Sequence, residues 1–471
     1  MNPRAPLARA VCATLCLALA SLGAGCPADD DAPLTDAGAD AGRSDAFLEL
    51  TDPLSMPAVP TVSVGSFSSA TTCAECHPRY VEQWAVSNHA YAMLDPLFRA
   101  LTKVRQTTYA GAQDRFCQQC HSAIGTRGGE IRPGFSYADL SPVVLEGVTC
   151  EACHKVSGMA REFDSGHVLD ESGPMRGTHP EPAPSSAHES VVSPLHATSE
   201  FCGGCHDVTE ASGLELERPY AEWTQSPAAA SGRQCQDCHM PESVGEIASG
   251  GPRTDTVHDH TFIGVDRALT ADFILDPLAA TEHDRRVEAL LASAATVRLA
   301  TAPSAPAGSL LDVVVTVRNE VEGHNLPTGS TFLRQVWLEL IATDADGTVL
   351  YETGTLDADG DLRNYWSALD PYGDEDLVSL SSSFVDSRGQ PTLFPWLASE
   401  HYSSSIPPLQ ERSFTYFVPT AAAAAGPIHL AVRLRFRTVA PFLLRALGLD
   451  ASVDRVLTHD LATAATDVAL P

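Results

Sequence analysis

CAECHPRYVEQWAVSNHA, residues 73–90, places two cysteines and a histidine ahead of a helix-compatible run that ends on a second histidine, His89. The opening C-x-x-C-H, Cys73-Cys76-His77, returns at Cys117-Cys120-His121, Cys150-Cys153-His154, Cys202-Cys205-His206 and Cys235-Cys238-His239. Ten of the 13 cysteines stand in these five copies. The other three, Cys12, Cys16 and Cys26, are at the N-terminus, so the rest of the chain keeps no cysteine for a structural disulfide.

The motif reads as covalent c-type haem attachment. Two thiols add across the two vinyl groups, and the adjacent histidine becomes a ligand of the iron. An all-cysteine zinc site would take the C-x-x-C pairs two at a time and leave one over, with no use for a histidine after each. A disulfide framework would suit a secreted chain but leaves His77, His121, His154, His206 and His239 unexplained. The expected cofactors are therefore five covalently bound haem c groups.

Residues 1–25 read as a signal peptide of the lipoprotein type. Arg4 and Arg9 precede the apolar stretch VCATLCLALASL, which is too short to span a membrane. The following LGAGC would make Cys26 the lipidated first residue; ordinary secretion with Cys26 unused is the alternative. Residues 26–65 are acidic, rich in proline and poor in apolar residues, which suits a disordered tether. Signal and motif both point outside the cytoplasm, to a membrane-anchored lipoprotein in the periplasm or at the outer-membrane surface. The formal net charge of −30 excludes nucleic acid as a partner and favours redox proteins with basic docking surfaces.

The composition divides the chain. Residues 66–290 carry every motif, and their Gly-, Pro- and His-rich spacing predicts short helices and loops wrapped on haem. Helices are expected over 78–104, with Pro96 ending or kinking the first, and over 282–296. A faint internal echo links YVEQWAVSNHA (80–90) with YAEWTQSPAA (220–229) through W-x-x-S-x-x-A, and Ala228 stands where His89 would be. Residues 291–471 change to alternating apolar and β-branched runs such as LLDVVVTVRNEV and IHLAVRLRFRTV, which predict a β-sandwich. Residues 356–410 are too many for a simple sandwich and are expected to be an insertion or long loops; FLLRALGLD (442–450) reads as a short helix. The expected fold class is α+β multidomain, a helical and loop pentahaem domain followed by an all-β domain.

CAECHPRYVEQWAVSNHA, GVTCEACHKV, SEFCGGCHDV, YAEWTQSPAAASGRQCQDCHMP and HDHTFIG together resemble bacterial multihaem c-type cytochromes with a cytochrome c-554-like haem domain. NEVEGHNLPTG with the strands after it resembles the β-domain often appended to them. The resemblance implies that a histidine in W-x-x-S-x-H-A, here His89, is a distal haem ligand. It implies the same for His196, ahead of SEFCGGCHDV, and for His260 in H-x-F-x-G, with His258 as the near alternative. His188 completes the helical-domain set, with His167 or His179 as substitutes, and His324 of GHNLPTG is the expected ligand from the β-domain. Met93 is expected to pack in the core rather than bind iron. No catalytic residue is assigned. The implied role is transfer of electrons between redox partners through bis-histidine haems. The alternatives are a reductase or oxidase of a small nitrogen or sulfur compound with one open haem, and a structural subunit of a surface haem complex or filament.

Overall fold

The computed structural model describes residues 60–180, 185–210, 212–251, 253–420 and 426–470. The signal peptide, Cys26 and nearly all of the expected tether lie outside the described residues.

From residue 60 to the end of a helix at Ser293 the chain is short helices joined by loops, with a few two-stranded ladders. The predicted helix 78–104 is three helices: α1 (Pro78–Ala85), α2 (Asn88–Tyr91) and α3 (Pro96–Thr108). Local capping divides them. The Ser87 side chain accepts the Ala90 N–H to start α2, and Asp95 accepts the Leu97 N–H to start α3. Pro96 sits at the first turn of α3, where its missing N–H costs nothing, so it opens a helix instead of kinking one. The second motif forms α4 (Asp114–His121), the third α5 (Cys150–His154), and α6 (Ser199–Gly203) carries the first cysteine of the fourth. The helix α7 (Pro219–Thr224) precedes the fifth motif on α8 (Cys235–His239). The helix expected at 282–296 is α9 (Pro277–Ser293); Asp276 caps it, and Ala295 already belongs to a strand.

Two antiparallel sheets follow. The strands β1 (Ala295–Thr301), β2 (Leu310–Asn319) and β6 (Glu411–Pro419) form one, in the order β6-β2-β1. The other runs β4-β3-β7-β8, from Val349–Thr353, Gln335–Thr343, Ile428–Arg437 and His459–Val468, with β5 (Ser379–Leu380) also on β3. The period-2 side chains of β2, Val313, Val315 and Val317, meet Leu338 and Leu340 of β3 and Leu430, Val432 and Leu434 of β7 in one buried cluster. Each such side chain contributes about 1.5–3 kcal/mol by leaving water. Trp337 and Glu339 occupy the opposite face of β3. Glu339 pairs there with Arg433 and Arg435, which explains why this strand reads apolar without alternating. The 356–410 segment holds its own three-stranded sheet, built from Ser382–Asp386, Pro391–Thr392 and Ala398–Ser403. The helix expected at 442–450 is α10 (Pro441–Ala446) and a following 3-10 turn.

The two parts are packed together. Leu97 of α3 joins Leu269, Val439, Leu443 and Leu444 in one apolar cluster, and Arg334 holds Asp266 with two bonds of 2.6 and 2.7 Å. Met93 is fully buried with Ile131, Phe135, Leu140 and Val144.

Candidate haem-binding centre

None of the ten motif cysteines is in a disulfide. Thiols of different motifs are close enough to influence each other's ionisation: Cys73 and Cys150, Cys120 and Cys205, and Cys202 and Cys235. The motifs are thus neighbours in the pairs first–third, second–fourth and fourth–fifth. Cys153 and Cys205 lie close enough to feel each other's charge, which brings the third motif to the fourth. Cys76 of the first motif and Cys238 of the last are the two exposed members of the set.

Four of the five motif histidines share a local geometry. Nδ1 of His77 donates to Ile247 O at 2.6 Å, that of His121 to Ala92 O at 3.0 Å, that of His154 to Arg176 O at 2.6 Å and that of His239 to Ile263 O at 2.8 Å. A proton held on Nδ1 leaves Nε2 as a lone pair, which is the tautomer a metal takes.

Opposite four of these rings stands a second imidazole. Ring centroids are 6.2 Å apart for His77 and His188, 6.2 Å for His206 and His89, 6.2 Å for His154 and His260, and 6.4 Å for His239 and His324. Two imidazoles on one metal have nitrogens about 4 Å apart, twice a bond of about 2 Å, and adding half a ring on each side gives a centroid separation near 6 Å. The observed spacing fits a metal between the rings. Three of the four facing histidines also have Nδ1 hydrogen-bonded. Nδ1 of His260 meets His258 O and that of His324 meets Asn325 O, both at 3.0 Å, and that of His188 meets Ser190 Oγ at 3.1 Å. His89 Nδ1 is buried with no hydrogen-bond partner, an orphan that a buried polar atom seldom remains without cause. Burial pushes His89, His260 and His324 down to about 4, which keeps each imidazole neutral.

His196 departs from expectation. Its ring is 6.0 Å from His154, but its Nε2 meets Cys153 O at 3.0 Å and its Nδ1 meets Ser193 Oγ at 2.8 Å. Both nitrogens of His196 are hydrogen-bonded, whereas His260, also across from His154, keeps Nε2 without a hydrogen bond among the described residues. Among the alternatives, His167 turns Nε2 to Phe201 O, and His258 turns Nδ1 to Met240 O and Nε2 toward Glu242. No second imidazole faces His121 among the described residues. Instead the Phe98 ring lies flat against it, 3.6 Å between centroids and 4° from parallel. The second motif is also lined by buried polar atoms without partners: Arg105 Nε, Asp114 Oδ1, Gln118 Oε1 and Gln119 Oε1. Spacing alone did not mark these residues, because two of them are the variable positions of C-x-x-C.

Residues 72–155, which include the first three motifs, match the family model described as cytochrome c554 and c-prime. Among solved structures the chain resembles a penta-heme cytochrome c552 from Thermochromatium tepidum. The TM-score is 0.59 at 21% identity, over 86% of this chain and 100% of that one. No curated protein matches the sequence. Attachment motifs in series, a family match across three of them and a fold shared with a penta-heme cytochrome make this chain similar to multihaem c-type cytochromes.

Proposed function

We propose that the protein is an extracytoplasmic electron carrier that binds five haem c groups, most of them between two histidines. The observation that carries this reading is the set of four imidazole pairs at 6.2–6.4 Å, each joining a motif histidine to one from elsewhere in the chain. The histidines that would hold these haems pair as His77–His188, His206–His89, His154–His260 and His239–His324. Haem supplies the one-electron iron couple. The protein would supply the ligands; it fixes the tautomers of most of them by Nδ1 bonds and sets the motifs beside one another. Thiol neighbours give the sequence first–third–fourth–fifth, with the second beside the fourth. The exposed Cys76 and Cys238 put the ends of that series nearest to partners. The excess of acidic residues favours basic redox partners, with binding that weakens as salt rises. The N-terminal sequence favours lipid attachment at Cys26, and no described helix is long and apolar enough to cross a membrane.

Intact-mass measurement of the mature protein is expected to show five haems added and an N-terminal lipid on Cys26. Two or fewer haems would end the pentahaem reading, and an unlipidated N-terminus would end the anchor.

A second reading rests on His121. With Phe98 on its face and no imidazole opposite among the described residues, His121 would hold its haem without a second histidine, the feature a reductase or oxidase of a small nitrogen or sulfur compound needs. Electron paramagnetic resonance of the oxidised protein is expected to show one high-spin haem beside low-spin ones, and that haem alone should take up carbon monoxide. An entirely low-spin spectrum would restrict the protein to carrying electrons.

A further inference from the structure

The two segments that share W-x-x-S-x-x-A are built alike far beyond those residues. Val81 N–H donates to the carbonyl of the motif histidine before it, His77, at 3.2 Å; Tyr220 N–H does the same to His206 at 3.3 Å. Ser87 and Ser226 each donate N–H to the preceding tryptophan carbonyl at 2.9 Å, and each side chain caps the next turn. Trp84 Nε1 donates to Val148 O at 2.8 Å, and Trp223 Nε1 to Arg233 O at 3.0 Å. Val148 and Arg233 return N–H bonds of 3.0 Å to His89 O and Ala228 O, the positions that correspond. Each stands two residues ahead of a motif, Cys150 or Cys235, and follows a glycine in the left-handed region, Gly147 or Gly232. The segment from the first motif to the third and the segment from the fourth to the fifth are therefore two copies of one structural unit.

The residue before each tryptophan differs between the copies yet does the same thing. Gln83 Oε1 accepts the backbone N–H of His260 at 3.1 Å. Glu222 Oε2 accepts the backbone N–H of Asn325 at 3.0 Å and the Thr328 hydroxyl at 2.5 Å. His260 faces the motif histidine that closes the first copy, His154; His324, next to Asn325, faces the one that closes the second, His239.

We propose that Gln83 and Glu222 are equivalent positioning residues, each fastening the loop that presents the distal imidazole to the haem attached at the end of its own copy. The inference rests on the axial pairs proposed above. A free loop would carry its imidazole through many orientations, and a bond to the adjacent backbone removes that freedom without touching the ring. The second copy has the harder task, because its loop belongs to the β-domain. A carboxylate takes two donors from that loop, where the carboxamide of Gln83 takes one. The same loop is secured again by Ala228 N–H on Glu322 O at 3.2 Å and by the Arg233–Glu322 ion pair at 2.6 Å.

The test uses full-length holoprotein carrying Glu222→Ala, read by electron paramagnetic resonance and carbon monoxide uptake per haem. The expected result is added high-spin signal and carbon monoxide binding approaching one haem, with the wild-type spectrum restored in Glu222→Gln, whose amide oxygen accepts the same N–H. Gln83→Ala is expected to affect a different single haem, and it carries the test if Glu222→Ala does not fold. A wild-type spectrum in either alanine variant, while His324→Ala changes one haem, overturns the clamp and leaves the ligand pairs standing. A silent His324→Ala overturns the ligand reading, and the clamp falls with it.

Discussion

In His324→Ala protein, one further haem is expected to become high-spin and to bind carbon monoxide, while the other low-spin haems keep their signals. His324 is 6.4 Å from His239 between ring centroids, its Nδ1 is engaged by Asn325 O, and only Nε2 is left to face the motif. Alanine removes that nitrogen and puts nothing in its place. The other three pairs share no residue with this one, so the effect should stay confined to the fifth motif. Imidazole added to the variant should restore the low-spin state. An unaltered spectrum would remove His324 from the ligand set and leave the β-domain as a docking module only.

The second large effect concerns stability. Glu210→Ala is expected to cost about 3–5 kcal/mol, because it leaves a buried guanidinium without its counter-charge. Arg105 and Glu210 are 3% and 4% exposed and joined by bonds of 2.6 and 3.1 Å, and Arg105 also donates to Gln113 at 2.8 Å and lies over the Phe116 ring. The pair ties α3 to the chain just beyond the fourth motif, beside the Cys117 thiol. Chemical denaturation followed by far-ultraviolet circular dichroism measures the loss. A change under about 1 kcal/mol, the size of an exposed pair, would mean that water reaches the site. The double variant Arg105→Met, Glu210→Leu should recover much of the deficit, since an apolar pair carries no desolvation penalty.

The parts of this protein legible in its sequence are those that chemistry or period confines to neighbouring residues. Haem attachment needs two thiols and an imidazole at one spacing, so Cys73-Cys76-His77 and its repeats were visible at once. Val313, Val315 and Val317 announced a strand through their alternation. Distal partners were harder, because a histidine becomes a ligand only if one nitrogen is left free, and that depends on distant backbone. His196 and His260 look equally suited in sequence; the Cys153 carbonyl separates them. The duplicated unit showed only its W-x-x-S-x-x-A trace. The second motif and its flanks are inserted between Trp84 and Cys150, whereas Trp223 leads almost directly to Cys235, so no fixed period exists. Gln83 and Glu222 are ordinary helix residues until the loops they hold are seen.

The four imidazole pairs have a consequence for the unfolded chain. Each joins residues far apart in sequence: 77 with 188, 89 with 206, 154 with 260 and 239 with 324. On the proposed ligation they would act through iron as cross-links, each closing a loop of roughly 100 residues and removing on the order of 4–5 kcal/mol of denatured-state entropy. The loops overlap, so these contributions do not add. Such cross-links would make the fold conditional on its metal, as a zinc finger's is, and would tie together segments that are synthesised at different times. On those pairings the first motif would not be closed until residue 188 has arrived, nor the last until 324 has. Maturation of this protein is in that sense a lacing, drawn tight only when the β-domain reaches its place.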